Sequence, residues 1–428
     1  MFFFLFYFLL SPILLVLIHI SRLFIKKIDV HLKNKKRTIN NVIYTLSKIN
    51  RSKRKVLLFH AASSGEFEQI KPILKQVNRE KYFIIQTFSS PTIFNQELKS
   101  SLFDVCCYHP FDIVWQSYYF FKKLNPNAYI ITRHDIWPAH LFVTKKLGIK
   151  SYYINANMHR KSLWNKKLLS SFSKSIFDNL YLCLVPSKDI KNHFSKIISI
   201  NKIHVTGDSR FDQVVNRKIN HQQLSLLPDY YKNSFNIIFG SYDKYDMPIM
   251  IESLVDYYPN GDQSLKNNNH RIILVPHEVD DREIKNTLRQ LQKHSFKPLL
   301  YSKLDFNINQ ACNILIVNKV GILADLYKYT QLAYVGSGFN DGVHSVIEPG
   351  VYGNAISFGP NIELLDEAKY IYSNKIGFMI KNKNDMLNFF DLHKQKKLLK
   401  KSGKSIVDYI NNNSNASQKI NHWIERTL

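Results

Sequence analysis

The sequence has no evident means of holding a divalent metal: Asp-x-Asp occurs nowhere, and no His/Cys cluster has ligand spacing. A donor that leaves as a diphosphate commonly recruits a cation, whereas a single phosphate can be held by a helix N-terminus and backbone amides. Cysteine is scarce as well. Cys106, Cys107, Cys183 and Cys312 make no CxxC pair and no zinc spacing, which argues against a disulfide framework and fits buried thiols in a reducing compartment. Acidic residues are outnumbered, 33 against 59 Lys and Arg, leaving a formal charge of +26. No nucleic-acid module accompanies that charge. It reads either as compositional drift, since the lysines are spread among Asn and Ile along the whole chain, or as attraction to an anionic membrane surface or lipid. No internal repeat is evident.

The first twenty-one residues, MFFFLFYFLLSPILLVLIHIS, lack Asp, Glu, Lys and Arg altogether. That length suffices to cross a bilayer core or to embed in one leaflet, so residues 1–21 are expected to form a membrane anchor. Neither the basic start nor the small-residue exit of a cleaved signal peptide is present. A basic juxtamembrane segment, 22–54, follows, with Arg22, Lys26, Lys27, Lys33, Lys35, Lys36 and Arg37 opposed early on only by Asp29. By the positive-inside rule the bulk of the protein is expected on the cytoplasmic side.

At 428 residues with 45% apolar content, two or three domains with real cores are expected. Short β-rich runs recur at βα spacing: Val56–His60, Tyr82–Phe88, Val105–Tyr108, Ala128–Thr132, Ser151–Asn155, Leu180–Val185 and Ile203–Gly207. After a polar passage near 216–233 a second series begins: Asn236–Gly240, Arg271–Val275, Asn313–Val317, Leu332–Val335, Asn354–Phe358 and Gly377–Ile380. Many of these runs are continuously apolar, as in parallel strands covered on both faces. The expected fold class is α/β, two doubly wound domains over 55–225 and 226–428. Tyr258–His270, with NGDQ and NNN, reads as a surface loop, and the Lys-rich stretch from Asn384 as solvated helix.

Candidate site residues follow strands. In HAASSGE, small residues after the first strand make a tight turn, and Glu66 at the start of the next helix is either a general base or a carboxylate favoured there by the macrodipole. His60 reads as a satisfied strand-end histidine. In RHDIWP, Asp135 lies at the same carboxyl edge, so the two carboxylates can converge; a local pair with Arg133 or a cap is the alternative. Arg210 in GDSRFD is suited to an anionic group. In the second half, Pro276 and His277 of LVPHE suit a base or ribose, and Val320, Gly321 and Ile322 can lend backbone groups. Leu332–Pro360, LAYVGSGFNDGVHSVIEPGVYGNAISFGP, reads as strand, glycine-rich turn, short helix, strand. There the bare amides of Gly336, Ser337 and Gly338 are expected to meet a phosphate before a helix near Val346. Ser345-Val346-Ile347-Glu348 has capping-box spacing, although Pro349 sits where a first helical hydrogen bond is wanted. Glu348 is otherwise placed to accept from ribose hydroxyls.

An N-terminal anchor followed in order by HAASSGE, RHDIWP, NANMHRKS, GDSRFD, LVPHE and VGSGFNDGVHSVIEPGVYGNAISFGP resembles the 3-deoxy-D-manno-octulosonic acid (Kdo) transferases of lipopolysaccharide synthesis, from the anchor to about Ala368. The resemblance implies a GT-B fold with two Rossmann-like domains facing a cleft. It also implies inverting transfer of Kdo from CMP-Kdo to a lipid A precursor at the cytoplasmic face of the inner membrane, without a cofactor or metal. Carried over, the proton acceptor is Glu66, and Asp135 and Arg210 support the transition state. CMP contacts fall on Pro276, His277, Val320 to Ile322 and Ser345 to Glu348. The implied partners are CMP-Kdo, the lipid A precursor and anionic inner-membrane lipids, with no nucleic acid. Three positions depart from the family pattern: Arg133 where many members have Glu, Asp135 for Glu, and Asn157 for Arg, with Arg160 and Lys161 nearby. Two other readings compete. One is a GT-B enzyme using a UDP-sugar, and the other is a membrane-tethered binder of anionic polymers.

Overall fold

The computed structural model describes every residue except Met1, His134, 158–163, 165–168 and 305–311, and the backbone alone of 2–6. The chain divides into two compact units, Met1–Gln213 with Asn413–Leu428, and Val214–Asn412. The expected boundary near 225 is thus corrected: the chain passes between units within the helix Ser209–Asn220. A second correction concerns the Lys-rich end, whose last helix, Ala416–Thr427, belongs to the first unit. The reason is apolar periodicity. Ile420 and Ile424 are buried against that unit's core, and Asn421 donates to the carbonyl of Ile73.

The first unit holds seven parallel strands, β1 (Lys55–Ala61), β2 (Tyr82–Phe88), β3 (Val105–Tyr108), β4 (Ala128–Thr132), β5 (Lys150–Ile154), β6 (Leu182–Val185) and β7 (Ile203–Val205), in the order β3-β2-β1-β4-β5-β6-β7. Alternation along β1 sends Val56 and Leu58 into the core on one face and Leu57 and Phe59 into the other, as period-two pleating requires. Strand order reverses between β1 and β4. Ligands of open α/β sheets bind beyond the carboxyl ends at such a point.

The segment expected to be a basic juxtamembrane stretch is largely the helix Lys26–Ser47, whose Val42 and Leu46 enter the first core. Before it runs the helix Phe2–Ser21, where Tyr7 donates to Asp112 Oδ2 at 2.5 Å and Phe8 meets Trp115 edge-on. Leu9, Ile13, Val16, Leu17 and Ile20 remain exposed. Among the described residues no single helix is long and apolar enough to cross a membrane; the pair Tyr7–Ser21 and Lys26–Ser47, bent by 114°, passes by length and composition.

The second unit repeats the architecture with β8 (Phe235–Tyr242), β9 (His270–Pro276), β10 (Pro298–Leu300), β11 (Ile314–Ile316), β12 (Leu332–Val335), β13 (Ala355–Phe358) and β14 (Phe378–Met379), ordered β10-β11-β9-β8-β12-β13-β14. Its reversal lies between β8 and β12. The stretch read as a loop at 258–270 contains a helix, Asp262–Asn268, with Leu265 fully buried. All four cysteines are free and buried.

His270 opens β9 with Tyr258 Oη 2.8 Å from its Nδ1. Burial, helped by His393 and Lys394, lowers it from 6.5 to about 4. Above pH 6.5 the imidazole is neutral folded or unfolded. Between 6.5 and about 4 the unfolded chain alone takes up the proton, so stability falls as pH falls through that window. Urea midpoints recorded across this range are expected to decline, and His270→Gln to flatten the decline.

Candidate active site

Glu66 begins the helix that follows β1, and its position is fixed by the backbone it serves. Ser63 is the N-cap, its hydroxyl accepting from the Glu66 N–H at 3.4 Å. Glu66 Oε2 accepts from the Ala62 and Ser63 N–H groups at 2.7 and 3.2 Å. This is a complete capping box. It tethers one carboxylate oxygen, and among the described residues no hydrogen bond is recorded for Oε1. Burial pushes the carboxyl above its ordinary range and the Asp135 charge adds to this, against His60 and the two amides. A raised carboxyl with one oxygen held and one available suits proton abstraction near neutral pH.

Asp135 follows β4 across the strand-order reversal, as expected, yet it is no free second base. It is buried, Trp137 Nε1 donates to its Oδ1, and His60 Nε2 lies 2.6 Å from its Oδ2. Arg133 adopts φ 59°, and its carbonyl accepts from the Tyr153 hydroxyl. The local Asp135–Arg133 pair is replaced by a pairing between strand ends, which residue spacing could not reveal. Four residues further on, the Ala139 and His140 amides of the helix Pro138–Lys146 donate to Asp112 at 3.2 and 3.0 Å.

Arg210 begins the last helix of this unit's main segment and forks onto Asp208, with Nε and Nη2 at 2.9 and 2.8 Å. Burial works against the Asp208 charge. The Arg210 guanidinium outweighs it, with help from Arg133, and holds the carboxyl below its usual range. Next to it, Ser209 Oγ donates to the Gln69 carbonyl at 2.6 Å and accepts from Asn155 at 2.8 Å. The GDSRFD turn is thereby bolted to the Glu66 helix and to the end of β5. Residue spacing did not mark Asp208 or Thr87, and it read His60 only as a satisfied strand-end histidine; the partners of His60 lie on other strands. Arg160, Lys161 and His134 lie outside the described residues.

In the second unit Pro276 ends β9, and the following His277 amide donates to the Tyr242 carbonyl at 2.9 Å. The His277 ring stacks on His344 at 4.4 Å. Val320 is 80% exposed, Gly321 takes φ 89°, and Ile322 caps the short helix Leu323–Leu326. Arg217 steadies this turn through the Gly321 carbonyl and Asp325. Ser345 does not cap: the helix Ile347–Gly350 has Val346 as N-cap with no side-chain cap bond. The helix begins one residue too late for Ser345 to stand at its N-cap. The capping-box reading at 345–348 is therefore corrected, while the same spacing at 63–66 forms one.

The glycine-rich turn is corrected too. The Gly336 N–H donates to the Gly240 carbonyl at 2.8 Å, and the Ser337 N–H, at φ 65°, donates to the buried Asp246 carboxylate at 2.7 Å. Asp246 also accepts from the Tyr334 hydroxyl at 2.6 Å. Two of the three expected bare amides are thus occupied by the protein. The glycines instead permit close approach. A Cβ on Gly336 would lie 2.3 Å from the Ser241 carbonyl oxygen, and one on Gly338 would lie 2.6 Å from the Gly359 backbone.

Residues 37–213 match the family model described as 3-Deoxy-D-manno-octulosonic-acid transferase (kdotransferase). The chain is 26% identical over 365 residues to the 3-deoxy-D-manno-octulosonic acid transferase of Chlamydia muridarum (strain MoPn / Nigg), covering 82% of this chain and 81% of that one. With the transferase of the same description from Aquifex aeolicus (strain VF5) it shares 25% over 335 residues, 77% of this chain and 84% of the other. In fold it is similar to UDP-GlcNAc 2-epimerase from Neisseria meningitidis bound to UDP-GlcNAc, at TM-score 0.62 and 14% identity over 87% of this chain and 100% of that one. The architecture is of the GT-B type.

Proposed function

We propose that the chain, whose residues 37–213 match the Kdo transferase family model, transfers Kdo from CMP-Kdo to a lipid A precursor with inversion. Glu66 Oε1 takes the proton from a glucosamine 6-hydroxyl as that oxygen attacks the anomeric carbon of Kdo; the bond to CMP breaks, and CMP leaves with the electron pair. One observation carries this reading: a half-buried glutamate beyond the central strand, pinned through one oxygen and raised in pKa. Asp135 and the Asp208-clamped Arg210 flank the chemistry and support its transition state. CMP is held in the second unit by Pro276, His277, Val320 to Ile322 and Ser345 to Glu348. With two amides of the Gly336 turn already engaged, that turn serves to shape the site rather than to cradle the phosphate alone. No cofactor is required by this scheme. The direct test is incubation of purified protein with CMP-Kdo and a tetra-acylated lipid A precursor. Kdo-lipid is the expected product, and its absence from a folded preparation sinks the reading.

We further propose that the helix Phe2–Ser21 embeds in the cytoplasmic face of the inner membrane, supported by its exposed Leu9, Ile13, Val16, Leu17 and Ile20 and the basic helix that follows. Co-sedimentation with vesicles containing phosphatidylglycerol should exceed that with phosphatidylcholine alone and weaken with salt. The double variant Ile13→Asp, Leu17→Asp should stay in the supernatant.

A further inference from the structure

His60 is fully buried at the end of β1, with hydrogen-bond partners at Nδ1 and a carboxylate close to Nε2. Nδ1 lies 3.0 Å from Thr87 Oγ1 and 3.2 Å from the Thr87 carbonyl. That hydroxyl spends its own proton on the Phe59 carbonyl, so Nδ1 carries hydrogen and donates. Nε2 faces Asp135 Oδ2 at 2.6 Å. The ring has little freedom, since His109 stacks on it at 3.9 Å and 23°. Burial, then repulsion from His60, His140 and His31, keeps His109 far below its ordinary range and so neutral. It cannot do the same duty.

We propose that His60 is a positioning residue for the transfer reaction, fixing the Asp135 carboxylate and offsetting its charge beside Glu66. This rests on the reading of Glu66 as proton acceptor and Asp135 as transition-state support. The groups facing Glu66 are Asp135 and His60, with Tyr153 behind them. Those facing Asp135 are Glu66, His60, Trp137, Tyr129, Tyr153 and His140. His60 alone of these both lies within ion-pair distance of Asp135 and acts on Glu66. Two carboxyls left together without such an offset cannot both ionise at their ordinary pH; the second proton comes off later. Because the reaction needs both ionised, losing His60 raises the pH at which activity switches on.

The experiment is the pH profile of kcat/KM for Kdo transfer by the full chain carrying His60→Gln. The acid limb is expected to rise by about one pH unit, so that the loss of activity on the acid side exceeds that on the alkaline side about tenfold. Adding Asp135→Asn removes one of the two carboxyls and should bring the limb back, even though the rate stays low. Thr87→Val deprives Nδ1 of its hydroxyl partner without touching either carboxyl, and should move the limb the same way by less. That variant carries the test should His60→Gln fail to fold. A loss of equal size at every pH, or a limb that Asp135→Asn does not return, overturns the proposal. Glu66→Gln run alongside separates the two ideas: if it stays active, the general-base reading has failed, and if it is inactive while the His60→Gln limb is unmoved, the positioning role alone has failed.

Discussion

Glu66→Gln is expected to lower kcat by about 10²–10⁴-fold while leaving the melting temperature of the protein unchanged. The separation of the two effects follows from the capping box. A glutamine amide oxygen can accept from the Ala62 and Ser63 N–H groups as Oε2 does, and glutamine serves as well as glutamate at that position. The helix start survives, and only the proton acceptor is lost. The pH dependence has a defined sign. Since burial and Asp135 raise the Glu66 carboxyl, wild-type activity should disappear as pH falls through a value above the ordinary glutamate range, with the base protonated below it. Glu66→Ala should differ from Glu66→Gln in stability, because it leaves two amides without their acceptor, at a cost of about 1 kcal/mol. Calorimetry of the three proteins beside the transfer assay decides the matter. Retention of more than about a tenth of wild-type kcat in Glu66→Gln would rule out its role as base.

Gly336→Ala should cost the second unit about 3 kcal/mol, at the upper end of what overpacking does. The added methyl would lie 2.3 Å from the Ser241 carbonyl oxygen and 2.5 Å from Tyr242 Cα. Both are backbone atoms of the C-terminal end of β8, so no rotamer can relieve the clash. For a unit of this size the loss corresponds to a fall of about 6–12 °C in Tm. It would also disturb the turn whose Ser337 amide is tied to Asp246. Gly65→Ala is the matched control. Nothing lies within 4 Å of a Cβ there, the position is helical, and the change should be neutral or slightly stabilising. Equal melting temperatures for the two variants would refute the close-approach argument.

Strand positions were legible because parallel strands buried on both faces write continuous apolar runs, and Tyr82–Phe88, Val105–Tyr108, Ala128–Thr132 and Leu332–Val335 match to the residue. β10 was illegible, being three residues long and only half-buried. The helix at Asp262–Asn268 was hidden by its polar composition, and the burial of Ser264 and Leu265 marks it as part of the fold. Among candidate site residues, the placement of Glu66 and Asp135 after strands was legible. The partners that define their chemistry were not, because His60 and Asp135 meet only when β1 and β4 become neighbours. The two Ser-x-x-Glu sites are instructive. Identical spacing makes a cap at Ser63 and none at Ser345, and the difference is where the helix begins, directly after Ser63 in one case and one residue later, behind Val346, in the other.

The helix Ala416–Thr427 completes the core of the first unit although the whole second unit is synthesised before it. During translation, therefore, the sheet built from β1 to β7 waits on the ribosome with the apolar ground beneath Ile420 and Ile424 uncovered, while an entire second domain emerges and folds. Such a delay favours chaperone capture and intermolecular association of the nascent chain. It also means that a premature stop codon late in the message injures the half of the protein that was made first.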